Sequence, residues 1–135
     1  MSAPSGGLLD TSVFIAREKG RPLGELPERV AVSVVTIGEL QLGVLNATDD
    51  STRARRADTL ELARGADPIV ISEAVMTTWA RLVADCRAAG IHQTVKLTDA
   101  LIAATAIEHG LPVVTQDDDY AQIARAHSIL RVLAV

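Results

Sequence analysis

With 135 residues, 48% of them apolar, the chain is long enough for one domain with a real core and has no low-complexity or disordered tract. It contains no run of about 18 apolar residues that would span a membrane, and its single cysteine, Cys86, excludes an internal disulfide and the disulfide-rich secreted class. A net charge of −4 and a pI near 5.3 argue at first against a nucleic-acid partner, because phosphate binding favours a basic surface.

Met1 to Gly7 is rich in Ser, Pro and Gly and has neither the basic nor the apolar region of a signal peptide. Residues 1–6 are therefore expected to be a flexible N-terminus, and the cytoplasm is the expected compartment. Beyond it, apolar runs of four to six residues alternate with helix-period segments, the pattern of βαβ units and a parallel sheet. Strands are predicted over Gly7–Asp10, Val30–Val34, Pro68–Ile71, Leu111–Thr115 and Leu130–Ala134. A short helix near Val13–Glu18 precedes a loop punctuated by Gly and Pro from Gly20 to Pro27. Helices are predicted over Ile37–Ala47 and, after a turn at Asp49-Asp50-Ser51, over Thr52–Arg64, closed by Gly65.

The clearest amphipathic helix spans Glu73–Ala89, with Val75, Trp79, Leu82, Val83 and Cys86 on one face and Gly90 at its end. Ala100–Glu108 differs, since Ala100, Ala103, Ala104 and Ala106 leave little bulk and permit close packing on the sheet. His109-Gly110 stops it. A short helix over Asp118–Ala126 leads into the last strand. Nothing marks an internal repeat or a boundary, so residues 1–135 read as a single domain.

Four acids fall where a strand is predicted to pass into a helix: Asp10, Glu39, Asp99 and Asp117. Singly, each suits a helix cap, and Thr36-Ile37-Gly38-Glu39 matches a capping box. Together they read differently. In a parallel α/β sheet the carboxyl ends of the strands share one edge, where ligands bind, and four carboxylates there repel unless a cation lies between them. Carboxylates without nearby thiolate or imidazole suit Mg²⁺ or Mn²⁺ rather than zinc. Without the four acids, 13 Asp and Glu face 13 Lys and Arg, so the remaining chain is neutral and a bound ion would reverse the sign of the acidic edge. In the run Asp117-Asp118-Asp119, Asp117 and Asp119 are assigned to the site and Asp118 to solvent.

Leu9-Asp10-Thr11-Ser12, Thr36-Ile37-Gly38-Glu39-Leu40, Leu97-Thr98-Asp99-Ala100-Leu101-Ile102-Ala103 and Val114-Thr115-Gln116-Asp117-Asp118-Asp119-Tyr120 resemble, in order and spacing, the motifs of the PIN domain. Within it they look like the VapC toxins of bacterial toxin–antitoxin pairs. The resemblance implies a three-layer α/β/α fold around a parallel sheet of about five strands, order 3-2-1-4-5. It also implies a Mg²⁺-dependent endoribonuclease, Mn²⁺ being the alternative ion, that cuts tRNA or rRNA. A homodimer and a VapB-like antitoxin, joined as a heterotetramer or larger assembly, are implied as well. The metal site carried over comprises Asp10, Glu39, Asp99, Asp117 and Asp119, supported by the hydroxyls of Ser12 and Thr115. Two positions depart mildly from the family: Asp117 is frequently Asn, and Tyr120 stands where Phe is common.

Arg53, Arg55 and Arg56 form the one dense basic cluster, read as a solvated helix face with RNA phosphate or antitoxin as the competing role. Lys96 reads as a surface lysine, and His92, His109 and His127 have no metal-ligand spacing. Cys86 reads as inert core. Aromatic residues are scarce, so RNA recognition should rest on shape and backbone, with Phe14 or Tyr120 as the residues able to meet a base and Trp79 in the core or a dimer interface. Two other functions compete. An aspartyl-phosphate phosphotransfer protein is disfavoured by Ser72-Glu73 after the third strand and Ser12 in place of an acid. A non-catalytic acidic module would bind a partner's basic arm.

Overall fold

A computed structural model describes residues 5–135, and residues 1–4 of the expected flexible N-terminus lie outside it. The flexible segment does not extend through Gly6, which already pairs with Arg29. The strands are β1 (Gly6–Leu9), β2 (Arg29–Val32), β3 (Val113–Thr115) and β4 (Val132–Ala134), all parallel, in the order β2-β1-β3-β4. The helices are α1 (Thr11–Glu18), α2 (Val34–Leu45), α3 (Asp50–Arg64), α4 (Glu73–Ala88), α5 (Leu97–Glu108) and α6 (Asp119–Ala126). No helix among the described residues is long and apolar enough to cross a membrane.

The sheet is the centre of three layers because strand side chains alternate between faces. Leu8 and Val113 point into a core built with Leu82, Cys86, Ile102, Ala103 and Ile123 from α4, α5 and α6. Their neighbours Leu9 and Val114 point the other way, onto Val13, Phe14, Leu40 and Leu60 from α1, α2 and α3. The alanine-rich α5 is buried as expected, with Ala103, Ala104 and Ala106 wholly inaccessible. A Cβ on Gly7 would lie 2.5 Å from Val114 Cγ2, so glycine is what lets β1 pack this closely.

The sheet has four strands rather than five. At the expected third strand, Ile69 forms one isolated bridge with Ser33, through Ile69 N–H to Val32 O (2.8 Å) and Val34 N–H to Ile69 O (3.0 Å). The cause lies on both sides of that bridge. Ser33 turns out of β2 to cap α2, its Oγ accepting the Val35 N–H at 3.0 Å. Opposite, Asp67 has positive φ (51°), Pro68 lacks an amide hydrogen, and Ser72 already caps α4. Two longer strands have no room to form. The same cap starts α2 at Val34, three residues before the predicted Ile37.

Candidate active site

Asp10 is the first residue beyond β1 and the N-cap of α1, accepting the Ser12 N–H at 3.4 Å. This short link puts its carboxylate on the carboxyl edge of the sheet, yet only 2% of the residue is exposed. The buried charge is met by hydroxyls. Thr115 Oγ1 donates to Asp10 Oδ2 (3.1 Å), and Tyr120 OH donates to Oδ1 (2.8 Å). Thr115 Oγ1 also accepts the Asp117 N–H at 2.9 Å and lies 3.2 Å from Ser12 Oγ, which in turn accepts the Gln116 N–H at 3.0 Å. The turn after β3 is thus tied to the turn after β1 through both hydroxyls expected to support the site.

Asp99 is the third residue of α5, not its cap; Lys96 occupies the cap position and makes no side-chain cap bond. Its Oδ1 lies 3.3 Å from Tyr120 OH, so one phenol stands between two buried carboxylates. Burial, then the neighbouring Asp10 charge, pushes Asp99 up to about 6. Burial followed by Asp10 and Asp99 raises the Tyr120 phenol as well, which keeps it a proton donor. Tyr120 is wholly inaccessible and Phe14 is buried, so neither meets a base as the sequence suggested. Tyr120 is a structural hydroxyl of the acid pair.

Glu39 sits in the second turn of α2, and the capping box does not form because Ser33 holds the cap. The Glu39 carboxylate instead accepts from Thr11 Oγ1 at 2.7 Å, reaching across to the start of α1. Asp117 stands exposed at the rim; loss of water around its carboxyl, then Asp10 and Asp119, raises its pKa. These four acids share one cleft of about 300 Å³, together with Ser12, Gln116, Lys96 and Arg21. Asp119 does not line it. It is half-buried in the first turn of α6 and faces Lys96 Nζ at 3.9 Å. Asp118 is exposed, as expected.

Among the described residues, no three acidic, histidine or cysteine ligands stand close enough to form a ready-made metal cage. The donor set still fits a hard divalent ion. The cleft presents carboxylate and hydroxyl oxygens without thiolate or imidazole, and Mg²⁺ keeps several waters while taking one or two carboxylates directly.

The PIN domain family profile matches residues 7–126. This chain is a PIN domain of the VapC family. Over 100 residues it is 75% identical to Ribonuclease VapC8 of Mycobacterium tuberculosis, covering 74% of this chain and 89% of the relative. Ribonuclease VapC5 of the same organism is 43% identical over 95% of both chains. A solved member of the VapBC family of toxin–antitoxin systems, VapBC-5 from M. tuberculosis, superposes with a TM-score of 0.87 at 39% identity, covering 98% of this chain and 100% of that one.

Within this PIN domain, Gln116 and Arg21 also line the cleft, a placement the sequence reading did not give them. Gln116 Nε2 donates to Pro22 O (3.1 Å) and Val135 O (2.9 Å), fastening the loop after α1 and the chain beyond β4 to the cleft. Its position between Thr115 and Asp117 was the available signal. The arginine cluster is not simply a solvated face. Arg53 Nη2 donates to Ala47 O at 2.9 Å and Arg56 Nη1 to Gly43 O at 2.7 Å, so two of the three tie α3 to the end of α2. His127, given no chemistry from sequence, is buried and bonded through Nδ1 to Asp85 Oδ2 at 2.6 Å. Burial pushes the Cys86 thiol up, consistent with inert core.

Proposed function

We propose that this chain is a Mg²⁺-dependent endoribonuclease toxin, with Mn²⁺ the alternative ion, that hydrolyses phosphodiester bonds of tRNA or rRNA in the cytoplasm. Family membership supports the nuclease reading, and one observation carries the metal. Asp10 and Asp99 lie buried against a single phenol, and no Lys, Arg or His of the described residues forms an ion pair with them. Buried carboxylates without cationic partners are costly, so the fold retains a charge deficit that a divalent ion would meet. The non-catalytic and phosphotransfer readings have no comparable observation in their favour.

Asp10, Glu39, Asp99 and Asp117, which share the cleft, would hold the ion; Asp119 would join by releasing Lys96. When bound, the ion neutralises the developing phosphate charge and lowers the pKa of the attacking water. Ser12 and Thr115 keep the Asp10 carboxylate aimed into the cleft. Tyr120 fixes Asp10 relative to Asp99, and Thr11 holds Glu39 across from them. Burial and the Asp10 charge hold the metal-free Asp99 carboxyl up at about 6, so an ion bound there below that pH would displace its proton. Water adds at phosphorus and gives a proton to solvent, and the departing ribose oxygen takes one up as its P–O bond breaks.

A VapB-like antitoxin is the proposed partner, joined to a homodimer of this chain in a heterotetramer or larger assembly. The likeness to VapBC-5 supports that reading. The test is to express the chain without antitoxin and sequence the RNA 5′ ends it creates. One RNA class cut at a recurrent position is expected, and the cuts should disappear with Asp10→Asn. Identical ends from the variant would refute the proposal.

A further inference from the structure

The cleft contains two cations, and only one is engaged. Lys96 faces Asp119 at 3.9 Å. Arg21 lines the same cleft, yet no ion pair or side-chain hydrogen bond among the described residues involves its guanidinium. A loose surface arginine would be unremarkable, but the backbone here is anchored. Arg21 N–H donates to Ala16 O at 2.8 Å, and Gly20, at φ 69°, supplies the left-handed turn that directs the chain back after α1. The next residue, Pro22, accepts from Gln116 Nε2, whose own backbone is bonded to Ser12 at the centre of the site. The backbone of Arg21 is therefore tied to the turn that carries Asp117, while its side chain is exposed beside the cleft.

The charge balance of the cleft shows what this arginine can do. Lys96 faces Asp119, so Arg21 is the cleft cation without a carboxylate partner, beside Asp10, Glu39, Asp99 and Asp117. With a divalent ion on those acids, its guanidinium would be free to meet a phosphate. A guanidinium presents paired N–H donors matched to two oxygens of a phosphate, a geometry that lysine cannot reproduce.

We propose that Arg21 is a phosphate clamp of this cleft, holding by paired N–H···O bonds a backbone phosphate of the RNA strand next to the one that is cut. Gln116 is its positioning residue. This deepens the ribonuclease reading and rests on it for the identity of the strand.

The probe is a fluorescein-labelled, single-stranded RNA oligonucleotide of mixed sequence, bound in Ca²⁺ and followed by anisotropy across a salt series; cleavage in Mg²⁺ is measured separately. Arg21→Ala is expected to weaken binding about tenfold and to lower the log–log salt slope by about 0.7, the value for one phosphate contact on a single strand. Arg21→Lys should restore the slope but only part of the affinity. Gln116→Ala should weaken affinity while leaving the slope intact. Mg²⁺ uptake by calorimetry should be unchanged in Arg21→Ala, which separates a clamp from a damaged site. Unaltered affinity and slope in Arg21→Ala would overturn the proposal, as would full recovery of affinity by lysine. A wild-type protein that binds the RNA without cutting it would count against the ribonuclease reading alone, and one that binds no RNA would defeat both.

Discussion

At the scale of single residues, the site depends on how two carboxylates share one phenol. Tyr120 has one proton to give, and Asp10 at 2.8 Å is nearer than Asp99 at 3.3 Å. Asp99 therefore carries the cost of its burial and of its neighbour's charge, which pushes it from 3.8 to about 6. A carboxyl raised in the folded state stabilises the fold below its unfolded pKa, and that contribution is lost as pH rises through the folded value. Between pH 4 and 7 the metal-free protein should lose stability from this group. Asp99→Asn keeps the shape and removes the ionisation. In urea titrations without metal, the variant should gain about 1–3 kcal/mol on wild type between those limits. A difference that stays flat with pH would show that Asp99 ionises normally. The convergence of Asp10, Glu39, Asp99 and Asp117 on one cleft was legible in the sequence because their order and spacing matched a family pattern, whereas Asp119 lies outside it. Support from the Thr115 hydroxyl came with that pattern, but the bond from Tyr120 to Asp10, across more than a hundred positions, did not. Tyr120 in particular read as a ring available to a base, and only the tertiary fold shows it turned inward.

At the scale of elements, helix existence followed from periodicity and helix starts from competition between caps. Ser33 and Thr36 are both good cap residues, and the sequence pattern favours Thr36 because Glu39 completes its box. Ser33 holds the cap, its Oγ accepting the Val35 N–H, and that start of α2 leaves Glu39 in the second turn, facing Thr11. The third strand was misjudged for the same reason: its partner leaves the sheet after one bridged residue. The tie between α2 and α3 is equally a tertiary fact. Arg56 reaches back 13 residues to the Gly43 carbonyl, near the end of α2 where helix carbonyls lack internal partners. Arg56→Ala should destabilise the fold by about 1–2 kcal/mol in denaturant titration, with RNA affinity unchanged. A loss of RNA affinity without loss of stability would return the residue to the binding role weighed from sequence.

At the scale of the molecule, a nearly neutral α/β/α body holds its excess negative charge at one end of the sheet. Two cores, one on each face, set the turns after β1 and β3 side by side, while α5 and α2 bring Asp99 and Glu39 to the same cleft. On the proposed reading, a divalent ion would compensate the acids and leave Arg21 at the cleft without a carboxylate partner. The most direct measurement is cleavage of total cellular RNA by the purified chain in Mg²⁺, with fragment ends mapped for wild type, for wild type in EDTA, and for Asp99→Asn. Discrete cuts by wild type in Mg²⁺ are predicted, with none in EDTA and a loss of at least about a hundredfold in rate for the variant. Cutting that persists in EDTA, or at wild-type rate in Asp99→Asn, would contradict a metal-dependent site built on these carboxylates.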